Sequence, residues 1–173
     1  GKLLELIERI HDIEGIERIR IGSLEPRIVT VESAKRLAAL PKLCPHFHLS
    51  LQSGCDETLK RMNRRYNTAQ FKASVQALRD AFGKPAITTD VIVGFPAETE
   101  EEFAETVNYL EEISLYEMHI FKYSMRKGTR AAAMKEQVLE AFDLPADTED
   151  ILLEGVVSRK KQLIPTFVIS LQQ

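Results

Sequence analysis

The amino-acid sequence predicts an α/β fold with a parallel sheet, because a unit of strand, turn and helix recurs roughly four times along it. The clearest unit spans residues 88–103, TTDVIVGFPAETEEEF. Residues 91–93 form a short apolar, β-branched run typical of a buried strand, which the following Gly-Phe-Pro ends. Thr99 is a favourable helix N-cap, followed by glutamates that suit the helix dipole. Ligands of α/β folds bind at the carboxyl ends of parallel strands, although many such turns carry Gly and Pro for conformational reasons alone.

The composition is that of an ordinary globular domain. The chain has 173 residues, 44% hydrophobic and 28% charged, which suits one domain. A net charge of -3 argues against a strongly basic, nucleic-acid-coating surface. No apolar run is long enough to span a bilayer and no leader resembles a signal peptide, so we expect a cytoplasmic protein without membrane contact. Because the chain starts with Gly1 and opens directly on an amphipathic helix, we expect a piece of a longer polypeptide.

In the first third of the chain, apolar periodicity and turn residues set the predicted elements. Leu3, Leu4, Ile7 and Ile10 recur at helical spacing, and Gly15 ends the helix. The alternating IERIRI predicts a strand, and Pro41 marks the end of the helix that follows. The predicted elements are a helix from residue 3, a strand at 16–21, a turn at 22–26, a helix at 32–40 and a strand at 47–51.

The same unit continues to residue 138. Asp56 is predicted to cap a short helix, and Thr68 a longer one that ends at Gly83. A strand at 86–93, a helix at 99–113 and a strand at 115–123 follow. Beyond this the pattern weakens: we expect an irregular segment at 139–150, a helix at 148–164 and a strand-like or frayed end at 166–171.

Polar residues at consecutive strand ends are the most coherent candidate site. If the strands are parallel and adjacent, their hydroxyl and carboxylate groups project toward one rim, where they suit a ribose or an amino-acid moiety. The set comprises Ser23, Glu25, Gln52, Ser53, Asp90 and Ser124.

Histidine and cysteine residues offer a weaker candidate. His46 and His48 lie two apart on a strand and so share a face, as a metal pair does, but no third ligand has suitable spacing. We therefore favour a packed or surface pair. Cys44 and Cys55 give neither a disulfide framework nor paired CxxC ligands, and they suit small buried hydrophobes.

A basic run leaves two interpretations open. Lys60, Arg61, Arg64 and Arg65 follow Asp56 and Glu57, which is typical of a solvated helix face with paired charges. Four basic residues within six positions also suit a corner that contacts phosphate.

Four strings in this order resemble the later part of the radical S-adenosylmethionine core of the methylthiotransferase family. They are IRIGSLEP at 19–26, HLSLQSGCDETLKRMNRRY at 48–66, TTDVIVGFPAETEEEF at 88–103 and FKYSMRKGTRAAAM at 121–134. The SLEP string is most similar to the branch that acts on threonylcarbamoyladenosine next to the tRNA anticodon. Past residue 138 the likeness fades.

The resemblance implies part of a (β/α)6 radical-enzyme barrel, with residues 1–138 supplying its third to sixth strands and 139–173 a divergent tail. It implies S-adenosylmethionine as cofactor and 4Fe–4S clusters whose cysteine ligands, including a CxxxCxxC triplet, are absent from this sequence. Ala97 stands where the family often has Gly, which the turn tolerates if its φ is negative. The residues implied to face S-adenosylmethionine are Ser23, Glu25, Gln52, Ser53, Asp90, Gly94, Phe95, Pro96, Phe121 and Ser124.

The expected function is therefore part of a tRNA-modifying methylthiotransferase, with the tRNA bound through the full-length protein. Without cluster cysteines, this polypeptide alone is expected to be inactive. Exposed strand edges give a route to self-association. The alternative is a stand-alone α/β module that binds a nucleotide or phosphate without redox chemistry.

Overall fold

The structure, a computed structural model, describes residues 2–138. A four-stranded sheet forms its centre, with every pair of neighbours parallel and the strands in sequence order. The strands are β1 (Ser23–Leu24), β2 (His46–Leu49), β3 (Ala86–Val93) and β4 (Glu117–Lys122). This confirms the predicted α/β fold of repeated βα units. The predicted division at residue 138 stays a prediction, and the elements expected in 139–173 lie outside the described residues.

Within residues 2–138, five α-helices connect or precede the strands: α1 (Lys2–His11), α2 (Val31–Ala38), α3 (Asp56–Arg61), α4 (Thr68–Phe82) and α5 (Glu100–Ile113). Short 3-10 helices occupy Pro26–Ile28 and Ala131–Ala133. Because parallel crossovers are right-handed and the strand order is sequential, the crossover helices lie on one face of the sheet. The other sheet face, called the open face below, carries no crossover helix within residues 2–138.

Side-chain burial distinguishes the two faces of β3. Ile87, Thr89 and Val91 are at most 1% exposed and point toward the helices, whereas the alternate residue Asp90 points to the open face and is half-buried. Phe47 of β2 also points to the helices, and its ring packs edge-on against Phe82 of α4 with centroids 4.9 Å apart. The apolar core therefore lies between the sheet and its helices.

The first strand differs from its prediction. Residues 16–21 make only one bridge, between Ile19 and Leu43, and the ladder of β1 begins at Ser23 opposite His48. Paired residues differ by 24 in residue number at the bridge and by 25 in the ladder. One extra residue therefore lies on the β2 side between the two pairings. Pro45, which lies between the two pairings and has no backbone N–H, cannot continue the ladder. The alternating segment is therefore divided in two.

Two predicted helix caps were wrong by one residue. Cys55 rather than Asp56 is the N-cap of α3, and the Asp56 carboxylate instead accepts a hydrogen bond from Thr68 N at 2.8 Å. Asn67 rather than Thr68 caps α4, because its side chain reaches Gln70 N at 2.8 Å. The predicted cap of α5 is confirmed, since Thr99 Oγ1 accepts a hydrogen bond from Glu102 N at 3.3 Å.

Candidate functional site

A carboxylate bridges two histidines on the open face. Asp90 Oδ2 lies 3.4 Å from His48 Nε2, and Asp90 Oδ1 lies 3.3 Å from His119 Nδ1. The sheet register puts Asp90 directly opposite His119, and His48 opposite Thr88, whose Oγ1 lies 3.0 Å from His48 Nδ1. The two imidazole rings stack with centroids 6.4 Å apart. His48, Asp90 and His119, called the Asp90 cluster below, therefore form one group of contacting side chains across three strands.

The structure does not make a metal pair of His46 and His48. His48 is engaged by Thr88 and Asp90, while the Nδ1 atom of His46 is buried without a hydrogen-bond partner. Burial, reinforced by nearby Arg20, lowers the pKa of His46 and favours the neutral ring. Among residues 2–138, no group of three or more Cys, His, Asp or Glu side chains is arranged to hold a metal ion.

A cavity of about 460 Å³ opens at the carboxyl ends of β1 and β2. The Ser23 and Ser50 hydroxyls meet across it at 2.9 Å, and the buried Tyr66 hydroxyl donates to Leu51 O at 3.1 Å, which fixes one wall. Burial raises the pKa of Tyr66, so its hydroxyl stays protonated. The lining residues are Ser23, Glu25, Arg27, Ser50, Asn63, Arg64, Arg65 and Tyr66.

The cavity has an excess of positive charge. Arg27 Nε lies 3.3 Å from Glu25 Oε1, but Arg64 and Arg65 form no ion pair with a carboxylate in the described part of the chain. Both arginines follow α3 through Asn63, whose φ of +58° turns the chain back toward the strand ends. Guanidinium groups present several N–H donors to carboxylate or phosphate oxygens, so the cavity suits an anionic group.

The basic run is thus divided between the two sequence interpretations. Lys60 lies on the exposed helix face, where its Nζ atom is 3.6 Å from Glu57 Oε2. The Arg61 guanidinium donates two hydrogen bonds to the Glu102 carboxylate of α5, and the bond from Nη1 to Oε1 is 2.9 Å long. Arg61 therefore joins α3 to α5. Only the second half of the run, with Arg64 and Arg65, reaches the cavity.

Gln52 and Ser53 occupy different environments although they are neighbours. Gln52 has a φ of +76° and bonds through its backbone to β3, with Gln52 N to Asp90 O at 2.9 Å and Ile92 N to Gln52 O at 2.9 Å. Ser53 is fully buried, and its hydroxyl lies 3.2 Å from Thr106 Oγ1 of α5. The Ser53 side chain therefore points into the helix layer and not toward the rim.

A buried carboxylate organises the turn after β3. Glu98 Oε2 accepts hydrogen bonds from Gly94 N at 2.5 Å and Phe95 N at 3.2 Å, so these N–H groups are already occupied by an internal anion. The second oxygen of Glu98 is buried without a partner, and burial raises the pKa of Glu98. The sequence prediction for Ala97 required a negative φ, but the φ of Ala97 is +65°. The turn accepts alanine there with a left-handed backbone, held by a bond from Ala97 N to Glu136 O at 2.8 Å.

The remaining predicted residues lie around the ends of β3 and β4. The Phe95 ring is buried and packs edge-on against Tyr123, with centroids 5.4 Å apart, and Pro96 follows it in the buried turn. Phe121 is 53% exposed, and Ser124 is exposed beyond the strand end. Of the residues predicted to face the cofactor, Ser23 and Glu25 line the cavity.

The structure adds His119 and Arg27 to the residues predicted from the sequence. Strand alternation in EMHIFK puts His119 and Phe121 on one face, and the register of β3 and β4 then makes His119 the partner of Asp90. Arg64 and Arg65 were singled out by charge alone, and Arg27 was missed because it lies in a turn after a Pro. Only the folded chain brings these arginines to Ser23.

Comparison with known proteins decides the family. The model of the radical SAM superfamily matches residues 1–110. The chain belongs to the radical SAM superfamily. SAM is S-adenosylmethionine, so the family confirms the cofactor expected from the sequence, together with the iron–sulfur chemistry that radical SAM enzymes use.

Curated relatives of this radical SAM chain are named as tRNA methylthiolation enzymes. A tRNA-2-methylthio-N(6)-dimethylallyladenosine synthase from Thermobifida fusca is 45% identical over 134 residues, which are 78% of this chain and 27% of that protein. A threonylcarbamoyladenosine tRNA methylthiotransferase from Bacillus subtilis is 46% identical over 128 residues, 74% of this chain and 28% of that protein. The chain therefore spans less than a third of these relatives. Their names confirm the predicted resemblance to methylthiotransferases.

A solved radical SAM enzyme has the same fold. Coproporphyrinogen III oxidase from Escherichia coli superposes with a TM-score of 0.56 at 20% identity, covering 92% of this chain and 34% of that chain. At this identity the likeness concerns the fold only. Separately, no helix within residues 2–138 is long and apolar enough to cross a membrane.

Proposed function

We propose that the chain is the cofactor-binding part of a tRNA methylthiotransferase that inserts a methylthio group into threonylcarbamoyladenosine next to the anticodon. The names of relatives at 45% and 46% identity support methylthiolation of tRNA. Both adenosine substrates occur among these names, and the SLEP string at 23–26 favours threonylcarbamoyladenosine. A tRNA substrate also favours a cytoplasmic location. We further propose that residues 1–138 are the catalytic-core segment and that 139–173 are a separate tail.

The charge of the strand-end cavity carries this proposal. S-adenosylmethionine ends in an ammonium and a carboxylate, and the cavity offers the carboxylate of Glu25 beside the guanidinium groups of Arg64 and Arg65. When bound, the cofactor supplies the methyl group and, with a reduced iron–sulfur cluster, the radical chemistry of the family. Within this chain, Gln52 and Asp90 are proposed to border the cofactor.

The turn after β3 and the end of β4 complete the proposed cofactor site. Gly94, Phe95 and Pro96 shape the turn, and the buried Phe95 ring packs against Tyr123. Phe121 and Ser124 border it from β4, and Ser53 contributes through packing against α5.

The described residues do not fit an iron–sulfur cluster. Cys55 is 2% exposed, its burial raises the pKa of the thiol, and no group of ligating side chains surrounds it or Cys44 in residues 2–138. We therefore propose that cluster ligands come from outside this chain and that the isolated chain is inactive. Iron and acid-labile sulfide assays after reconstitution test this, and a stoichiometric cluster on the chain would contradict it.

A stand-alone nucleotide- or phosphate-binding module remains the second candidate, because the same arginines suit a phosphate. Calorimetry separates the two: tight binding of simple nucleotides with no preference for S-adenosylmethionine favours the module. Edge strands β1 and β4 also support the expected self-association, which gel filtration measures.

A segment exchange tests the proposed function in a complete enzyme. The matched 128-residue segment replaces its counterpart in the Bacillus subtilis relative, in cells that lack their own methylthiotransferase. We expect mass spectrometry of tRNA nucleosides to detect methylthiolated threonylcarbamoyladenosine. The matched control carries Arg64→Ala and Arg65→Ala and should lose the product. A soluble hybrid that binds S-adenosylmethionine yet gives no product would contradict the proposal.

A further inference from the structure

We infer that residues 125–137, which follow β4 and are called the basic strap below, bind the phosphate backbone of the RNA substrate. The strap carries four basic residues and one acidic residue, in a chain whose net charge is -3. The inference rests on the proposed function only in taking RNA as the partner. It assigns a surface outside the cavity and outside the Asp90 cluster.

The cations of the strap are exposed and unpaired within residues 2–138. None of them forms an ion pair with a carboxylate there, whereas Arg36 and Arg61 are each paired with a glutamate. An exposed guanidinium or ammonium group without such a partner keeps its N–H donors for an external anion. The four basic residues of the strap are Arg126, Lys127, Arg130 and Lys135.

Hydrogen bonds to the backbone give the strap a defined course. Thr129 closes a turn onto Arg126 O, with its backbone nitrogen at 3.2 Å and its hydroxyl at 2.8 Å. The same hydroxyl accepts a hydrogen bond from Ala132 N at 3.2 Å, within the 3-10 helix. Gln137 Nε2 then donates to Ala131 O at 2.9 Å. The cations therefore project from a folded segment, which lowers the cost of ordering them when a ligand binds.

The strap is tied to the carboxyl-terminal end of β3. Tyr123 N donates to Val93 O at 2.8 Å just before the strap, and Ala97 N donates to Glu136 O at 2.8 Å near its end. These anchor points are the last residue of β3 and the turn that follows it. The strap therefore borders the same rim as the proposed cofactor site, which is where an RNA substrate has to approach.

The chemistry of the strap suits phosphate groups rather than bases. Arginine and lysine side chains donate to phosphate oxygens, and such contacts position a nucleic acid without reading its sequence. The strap contains no aromatic residue, which is the side chain on which proteins stack unpaired bases. We therefore expect its contribution to RNA binding to be electrostatic and independent of the RNA sequence.

The test measures the salt dependence of RNA binding by the full 173-residue chain. The probes are a tRNA anticodon stem-loop and a hairpin with the same stem and a scrambled loop. Fluorescence anisotropy gives each affinity at several salt concentrations. The strap variant carries Arg126→Gln, Lys127→Gln and Arg130→Gln. We expect it to reduce the slope of log affinity against log salt by about 2 to 3 for both probes, since each phosphate contact contributes about 0.7 to 0.9.

A matched control removes the same charge elsewhere. Arg9→Gln, Arg18→Gln and Lys84→Gln lie at exposed positions on α1 or before the first residues of β1 and β3, and together they should leave the slope unchanged. A charge-preserving variant, Arg126→Lys with Arg130→Lys, should also keep the slope of the native chain. Circular dichroism confirms that each variant folds. A control whose slope falls as far as that of the strap variant would overturn the inference.

Three further results would overturn the inference. The first is no RNA binding by the native chain, or an unchanged slope in the strap variant. The second is a loss confined to the anticodon stem-loop, which would assign the strap to the loop sequence instead of the backbone. The third comes from co-sedimentation with phosphatidylserine vesicles: binding tighter than to RNA, and lost in the strap variant, would assign the strap to a membrane surface. Failure of the proposed function would appear differently, as absence of S-adenosylmethionine binding while the strap variant still shows the reduced salt slope.

Discussion

Glu98 Oε2 lies 2.5 Å from the backbone nitrogen of Gly94, across the turn that follows β3. This carboxylate is buried and occupies the N–H groups of the turn, so it replaces an external ligand as the anion of the turn. The backbone N–H groups of Gly94 and Phe95 are thereby used within the turn. The polar groups available to a ligand are those of the cavity and of the open face.

The buried Glu98 gives a pH-dependent prediction. Burial raises its pKa in the folded chain, so its contribution to stability is present below the unfolded pKa and is lost as pH rises through the folded pKa. We therefore expect native stability relative to Glu98→Gln to fall as pH rises above about 4.5, the ordinary glutamate range. Chemical denaturation at a series of pH values measures this, and a pH-independent difference would contradict it.

The Arg61–Glu102 pair titrates in the opposite direction. Its hydrogen bond to Arg61 lowers the pKa of Glu102, so the stabilisation is present above the unfolded pKa and is lost as pH falls through the folded pKa. We expect Glu102→Gln to destabilise by about 1 to 3 kcal/mol at neutral pH and by less in acid. A double-mutant cycle with Arg61→Met isolates the pair, and a coupling energy near zero would contradict its role.

Thr89 joins β2 to β3 where the ladder between them ends. Its fully buried hydroxyl donates to Leu49 O at 2.5 Å and accepts from Leu51 N at 3.0 Å. Thr89→Val keeps the shape but leaves both backbone groups unpaired, and we expect a loss of about 1 to 3 kcal/mol in urea denaturation. The control is Thr68→Val, whose hydroxyl makes no hydrogen bond in the described part of the chain. Equal effects of the two variants would refute this role of Thr89.

Gly54 permits the close approach of α5 to the end of β2. A Cβ atom at Gly54 would lie 2.8 Å from the Cα of Thr106 and 3.0 Å from the Cβ of Tyr109. We expect Gly54→Ala to cost about 1 to 3 kcal/mol, because backbone must move to admit the methyl group. At Gly22 the same change meets nothing within 4 Å and should be nearly neutral. Thermal unfolding compares the two, and a neutral Gly54→Ala would show that α5 moves freely.

Local signals explain why some elements were predictable. The bounds of β3, Ala86–Val93, agree with those predicted, because a segment rich in β-branched residues between Pro85 and Gly94 is defined by its own residues. The cap of α5 at Thr99 is local in the same way. By contrast β1 is a two-residue edge strand whose extent depends on where β2 can pair with it, and Pro45 interrupts that pairing.

The site was predictable only in part for the same reason. Strand-end position puts Ser23 and Glu25 among the candidate residues, and both line the cavity, while their role in binding stays a prediction. Which direction Ser53 faces depends on the bend at Gln52, where a φ of +76° has no sequence signal such as glycine. The link from His119 to Asp90 required the register of β3 and β4.

The left-handed backbone at Ala97 gives a further prediction. Its φ is +65°, a conformation that strains any residue with a Cβ. We expect Ala97→Gly to stabilise the chain by up to about 1 kcal/mol, with part of the relief offset by the greater freedom of unfolded glycine. Ala39→Gly, at a right-handed position with φ of -76°, should instead destabilise. Differential scanning calorimetry tests both, and equal destabilisation would refute the strain at Ala97.

Titration of S-adenosylmethionine into the full chain, followed by calorimetry or by chemical shifts, tests the proposed cofactor site most directly. We expect saturable one-to-one binding that Arg64→Ala with Arg65→Ala weakens by about tenfold, the effect of losing a hydrogen bond to a charged group. The charge-matched control, Lys35→Ala with Lys84→Ala on exposed positions away from the cavity, should bind as the native chain does. No binding, or binding that the arginine variant leaves unchanged, would contradict the assignment of the cavity to the cofactor.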